Sequence, residues 1–186
     1  MGYSESLRQH LEAQWGPPLR AIDWAEGRRG ELPVDFRVWV FRRPSDGVLA
    51  YSTVGMSEES DPDAIELFLL VRAHDDDRRL AELLFAIAHF HRTGSHLGLW
   101  HTVNFGRPWL DASACTHGLI SLPYLDGEAL EHPAVVRTRV LWLIPVTQTE
   151  VDFRRRYGTD ALEARFEEKR FDYLDPHRLA VVDDET

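Results

Sequence analysis

Cysteine and lysine are nearly missing from this sequence: Cys115 is the one thiol and Lys169 the one lysine among 186 residues. A single cysteine excludes an internal disulfide and any cysteine-rich zinc module, so a reducing cytoplasm is the expected compartment. Arginine supplies nearly all the positive charge, in keeping with the codon usage of a GC-rich bacterial genome. Long apolar runs are also lacking. "IELFLLV" and "VLWLIPV" fall far short of the roughly 20 residues that span a bilayer, so no membrane insertion is expected. The start, "MGYSESLRQHLEAQWG", has no apolar core of the kind a signal peptide needs. Positive charge is in deficit, with 31 acids against 21 bases and a net charge of −10. That balance opposes nucleic-acid binding, which depends on neutralising phosphates. It suits the steering of a basic partner.

What is present is core-forming. Hydrophobic residues make up 44% and aromatics 11%, enough for one globular domain over residues 1–186 with no linker to divide it. Leu7, Leu11 and Trp15 recur at helical spacing, predicting a helix over 5–15 capped by Ser4 and ended by Gly16-Pro17-Pro18. After a Gly- and Arg-rich connection, Val34, Phe36, Val38 and Val40 alternate with Arg37 and Trp39 as in a half-buried strand. "PSDG" then turns the chain into "VLAYSTVG", completing a hairpin.

The acidic loop "MSEESDPDA" leads to a buried-type strand, "IELFLLVR". "DDDRRLAELLFAIAHFHRTG" is the clearest helix, with an apolar stripe of Leu80, Leu83, Leu84, Ile87 and Phe90 and a left-handed cap expected at Gly94. "LGLWHTVNF", "GLISLPYL" and "TRVLWLIPV" read as further strands. Thr147 and Glu150 form a capping box that opens a helix over 148–157. Gly158 breaks it, Thr159 starts another helix carrying Leu162 and Phe166, and Asp175-Pro176 makes a turn before an acidic end. The expected fold class is α/β (α+β), a mixed β-sheet flanked by helices.

Catalytic chemistry finds little footing. His89 and His91 lie two apart on a helix and point away from each other, so they are poor co-ligands. His96 and His101 match no zinc spacing, and Cys115 with His117 offers only a short C-x-H bite. No nucleophile elbow, P-loop or dinucleotide fingerprint is present. Asp61 with Asp63, and the run Asp75–Asp77, read as loop and helix-start acids. Neither a metal nor another cofactor is expected. More suggestive is the loop in which Trp100 and Trp109 flank His101, Asn104 and Arg107, because Trp and Arg dominate binding hot spots.

The order "HLGLWHTVNFGRPW", "GLISLPYLD", "VLWLIPVTQTEVDFRRRYGTDALEARFEEKRFDYLDPHR" resembles the suppressor-of-fused domain family over roughly residues 30–182. The resemblance implies a non-enzymatic α/β sandwich that binds proteins. Stand-alone bacterial members resemble immunity proteins that neutralise a cognate toxin domain. The motif residues carried over are His101, Gly106, Pro108, Glu150 and Asp175, with structural roles and no catalytic residue among them. The expected partner is therefore a protein, such as a basic toxin domain. The candidate contact residues are Trp100, His101, Asn104, Arg107 and Trp109, with Glu58, Glu59, Asp61 and Asp63 of the acidic loop. Two alternatives stay open: a small metal-assisted hydrolase built on His101, Cys115 and His117, and a structural subunit that buries exposed tryptophans in an assembly.

Overall fold

The computed structural model describes residues 2–23 and 32–183. Most of the Gly- and Arg-rich connection, and the last three residues of the acidic end, lie outside them. Among the described residues five α-helices and seven strands follow in the order α1 (Tyr3–Trp15), β1 (Arg20–Ile22), β2 (Arg37–Arg42), β3 (Leu49–Val54), β4 (Ile65–Val71), α2 (Arg78–Thr93), β5 (Thr102–Asn104), β6 (Cys115–Ser121), α3 (Glu128–Glu131), β7 (Arg139–Thr147), α4 (Gln148–Tyr157) and α5 (Thr159–Lys169). The strands make one mixed sheet in the order β1-β2-β3-β4-β7-β6-β5, which is the α/β class that the sequence patterns call for. The chain divides into two compact units, Met1–Leu99 with Ile120–Leu143, and Trp100–Leu119 with Ile144–Thr186.

In the first unit the β2–β3 hairpin pairs Arg37 with Val54 through Arg42 with Leu49. Trp39 and Phe41 face α1, where Arg8 lies over the Trp39 ring and Trp15 packs on Phe41 and Phe68. Phe36, Val38 and Val40 take the opposite face, and Phe36 meets Phe85 of α2 edge to face at 4.9 Å. Helices on both faces explain why β3 and β4 are buried along their whole length, and why β4 pairs parallel to β7, another buried strand. Leu7 and Leu11 of α1 are fully covered; burial of each contributes about 1.5–3 kcal/mol.

Local details differ from expectation in instructive ways. Gly2, not Ser4, precedes α1, and Ser4 lies inside the helix. Val34 is outside the strand and 88% exposed. On α2 the buried stripe runs Leu80, Leu83, Leu84, Ile87 and then His91, while Phe90 is 44% exposed. His91 lies four residues after Ile87, so the helical period brings the imidazole and not the phenyl ring onto the core face. Gly94 is not left-handed, at φ −110°. A Cβ there would fall 2.8 Å from Phe90 Cε2 and 3.1 Å from the Phe90 carbonyl, so a side chain would have to displace that ring.

In the second unit β5 pairs antiparallel with β6, setting Asn104 opposite His117. "LGLWHTVNF" yields a strand of only three residues. The capping box stands as the sequence predicts: Thr147 Oγ1 accepts from the Glu150 N–H at 3.2 Å, and Glu150 Oε2 accepts from the Thr147 N–H at 2.8 Å. Glu150 is completely buried and also receives both Arg178 Nη atoms, at 2.6 and 2.8 Å, and the Val181 N–H at 3.0 Å. Burial works against the Arg178 charge, but the Glu150 carboxylate more than offsets it and raises the guanidinium pKa. One glutamate thus starts α4 and fastens the chain's closing segment to it.

Candidate protein-binding site

The first group of expected contact residues lies in the second unit, on the turn into β5 and the loop after it. Trp100 is half-buried at φ +69°, a conformation a bulky side chain rarely adopts. Its carbonyl accepts from Arg154 Nη2, and Arg154 Nε donates to Thr159 Oγ1 at 3.1 Å. Arg154 therefore ties the Trp100 turn to the junction of α4 and α5. His101 and Asn104 are exposed. Asn104 Oδ1 accepts the Gly106 N–H at 2.7 Å, closing a tight turn with Gly106 at φ +70°, where a glycine carries no steric penalty.

Arg107 and Pro108 are exposed beyond that turn. Trp109 is not available as a surface indole: it is 4% exposed, and its backbone N–H donates to the Cys115 carbonyl at 3.1 Å. It supports the loop from within because the return to β6 folds the chain over it. The sequence does place Trp100, His101, Asn104 and Arg107 on one short segment; Arg154, which anchors that segment, went unnoticed because "FRRRY" reads only as a charged helix end.

The second group lies in the first unit, on the loop between β3 and β4. Asp61 Oδ2 accepts the Glu58 N–H at 2.8 Å, and Arg92 of α2 grips both acids, donating to Asp61 at 2.8 Å and to Glu58 at 2.9 Å. Glu59 and Asp63 are exposed on the loop so braced. Arg92 is a further residue that sequence reasoning missed. It sits in the last turn of α2, and no spacing in the sequence links it to a loop more than 30 positions away. Next to it, His91 Nδ1 accepts the Leu97 N–H at 2.9 Å, and its ring meets His96 edge on at 5.3 Å. Burial, and then the neighbouring His96, pull its pKa down to about 4. An imidazole held neutral by burial and used as a backbone acceptor is a structural group.

The residues of the hydrolase alternative do not assemble. His101 is exposed while Cys115 and His117 are buried on β6. Burial raises the Cys115 thiol and lowers His117, with Arg155 adding to the latter; both effects oppose a thiolate–imidazolium pair. Among the described residues no three His, Cys, Asp or Glu side chains are grouped to hold a metal ion. An apolar cavity of about 360 Å³ in the first unit is lined by residues such as Leu32, Pro33, Phe36 and Phe85 and by none of the three. Among the described residues no tryptophan is fully exposed, as the assembly alternative would want. Trp15, Trp109 and Trp142 are buried, and Trp39 and Trp100 are half-buried. No described helix is long and apolar enough to cross a membrane.

Known proteins are similar to this chain in sequence and in fold. The immunity protein YqcF of Bacillus subtilis (strain 168) is 25% identical over 187 residues, covering 94% of each chain. A suppressor-of-fused homolog from Neisseria gonorrhoeae FA 1090 has 32% identity, with 97% of each chain covered and a TM-score of 0.85. The Sufu–Fu complex contains a chain of the same fold at 14% identity and TM-score 0.71, with 97% of this chain and 92% of that one covered. The sequence profile of the suppressor of fused protein (SUFU) family matches residues 32–179, and the chain belongs to that family.

Proposed function

We propose that this chain is a non-catalytic binding protein that occludes a protein partner, and that the partner is a basic toxin domain for which it is the cytoplasmic immunity protein. The observation that carries the reading is the end-to-end correspondence with a protein named for immunity, over 94% of both chains. The acidic character supports it, since a net charge of −10 steers a cationic partner. So does the bracing of the 58–63 loop by Arg92, because a preorganised loop loses less entropy on binding. In this reading Glu58, Glu59, Asp61 and Asp63 form an acidic contact. Trp100, His101, Asn104 and Arg107 form an aromatic and polar one, with Trp109 as their internal support. Occlusion of this kind needs a few anchors and a polar rim, and no covalent chemistry.

The test is to seek a basic toxin domain encoded beside this chain's gene and co-express the two. Stoichiometric rescue of growth and a salt-sensitive complex in calorimetry are the expected results. Replacing Glu59 and Asp63 by Arg should weaken that complex by about tenfold or more. A toxin that kills equally with and without this chain, or an affinity untouched by the charge reversal and by Trp100→Ala alike, overturns the reading.

A further inference from the structure

Glu66 is the most enclosed carboxyl among the described residues of the first unit, 0% exposed on the α1 face of β4. Its described partners are donors, none of them a cation. Oε1 receives the N–H groups of Gly55 and Met56, both at 3.0 Å, and of Ser57 at 3.4 Å, with the Tyr3 hydroxyl also at 3.4 Å. Oε2 receives the Met56 N–H at 3.1 Å and the Thr53 hydroxyl at 2.6 Å. Gly55–Ser57 is the root of the 58–63 loop, so three consecutive backbone donors of that root converge on one carboxyl group.

Thr53 gives this arrangement a second setting. Its Oγ1 lies 3.3 Å from the Leu67 carbonyl and accepts the Leu67 N–H at 2.9 Å. A protonated Glu66 can donate from Oε2 to Thr53 Oγ1, which then turns its own hydrogen to the Leu67 carbonyl. No donor is left facing a donor, and the one proton taken up comes from solvent. We propose that Glu66, Thr53 and the Leu67 carbonyl form a proton-operated latch on the root of the acidic loop, tight when Glu66 is charged and slack when it is neutral. The tight state follows from the strength of hydrogen bonds to a carboxylate, roughly twice that of bonds to a neutral acid.

The setting places the change near neutrality. Burial pushes the Glu66 carboxyl up to about 7, against the opposing pull of Thr53 and the backbone donors. Cations on the surrounding elements are engaged with other acids: Arg8 of α1 with Glu5 and Glu12, Arg92 of α2 with Glu58 and Asp61, and Arg139 of β7 with Glu131. Tyr3 is raised by burial and by Glu66 itself, and so remains a neutral donor. His91, 3.5 Å from Ser57 Oγ, is held neutral by burial.

Amide hydrogen exchange of Gly55, Met56 and Ser57 between about pH 5.5 and 8.5, corrected for intrinsic rates, tests the latch. Local opening that frees these three amides while Glu66 stays buried should become about tenfold rarer through neutral pH in the natural chain, and lose that trend in Glu66→Gln, whereas global unfolding, which exposes Glu66 to water, carries the opposite slope. Should that variant fail to fold, a carbon-13 titration of the Glu66 carboxyl in the natural chain serves instead, with Thr53→Val expected to move its midpoint upward. Protection that does not vary with pH, protection that varies equally in Glu66→Gln, or a carboxyl midpoint in the ordinary glutamate range overturns the proposal.

Discussion

Gly55 stands at φ +88°, and a Cβ built on it would lie 3.3 Å from Ser4 Oγ and 3.4 Å from the Phe36 Cα. Two costs therefore meet at one residue: the left-handed conformation, about 1–2 kcal/mol for an L side chain, and a tight contact with the Ser4 hydroxyl, which must give by a few tenths of an ångström. Gly55→Ala should lower the unfolding free energy by about 1–3 kcal/mol, read by urea denaturation; an unchanged midpoint would show that α1 and the β2 entry can shift freely. At this scale the sequence is readable where period decides. His89 and His91 point apart as their spacing requires, and His91 alone is buried. It is unreadable where a loop decides: "GRPWLD" resembles a surface, yet the return to β6 buries Trp109.

Among the elements, α4 shows how far a local motif reaches. The capping box is a four-residue signal, and it sets the start of the helix at Gln148. Arg178 is not part of that signal. Its approach to Glu150 crosses 28 positions, and no spacing rule links an acid on a helix to an arginine in an irregular segment. The segment is placed by Asp175, whose Oδ1 accepts the His177 N–H at 2.9 Å, so the Asp-Pro turn was visible while its purpose was not. Removing one member of a buried pair strands the other charge, at a cost of about 3–5 kcal/mol. Arg178→Met should approach that loss and Glu150→Gln should share it, with the double variant recovering part of the sum. Thr147→Ala, which removes a cap alone, should cost about 1 kcal/mol. Additive losses at Glu150 and Arg178 in denaturant titrations would refute the clasp.

For the molecule as a whole, two buried titratable groups act on stability in opposite senses. Neither was legible beforehand: Glu66 sits inside "IELFLLV", where the apolar run hides it, and the expected apolar stripe of α2 runs through Phe90 in place of His91. Glu66 has its pKa raised from 4.5 to about 7 by burial, so between those values the folded chain holds a proton the unfolded chain has released. Its contribution to stability is full below pH 4.5 and is lost as pH rises through 7. His91 has its pKa lowered from 6.5 to about 4, so the unfolded chain holds the extra proton there. Its contribution is full above pH 6.5 and is lost as pH falls through 4. Between pH 4.5 and 6.5 the two slopes, each about 1.4 kcal/mol per pH unit, oppose each other and nearly cancel. Single substitutions expose them. Relative to the natural chain, Glu66→Gln should gain stability steadily as pH rises from 4.5 to 7, and His91→Gln should gain as pH falls from 6.5 to 4. Differences taken at each pH remove the background of the other carboxylates, so the slopes belong to these two sites. Denaturation curves measured at half-unit steps decide the matter: stability differences of opposite slope support the pairing, and differences that stay constant across the range remove it.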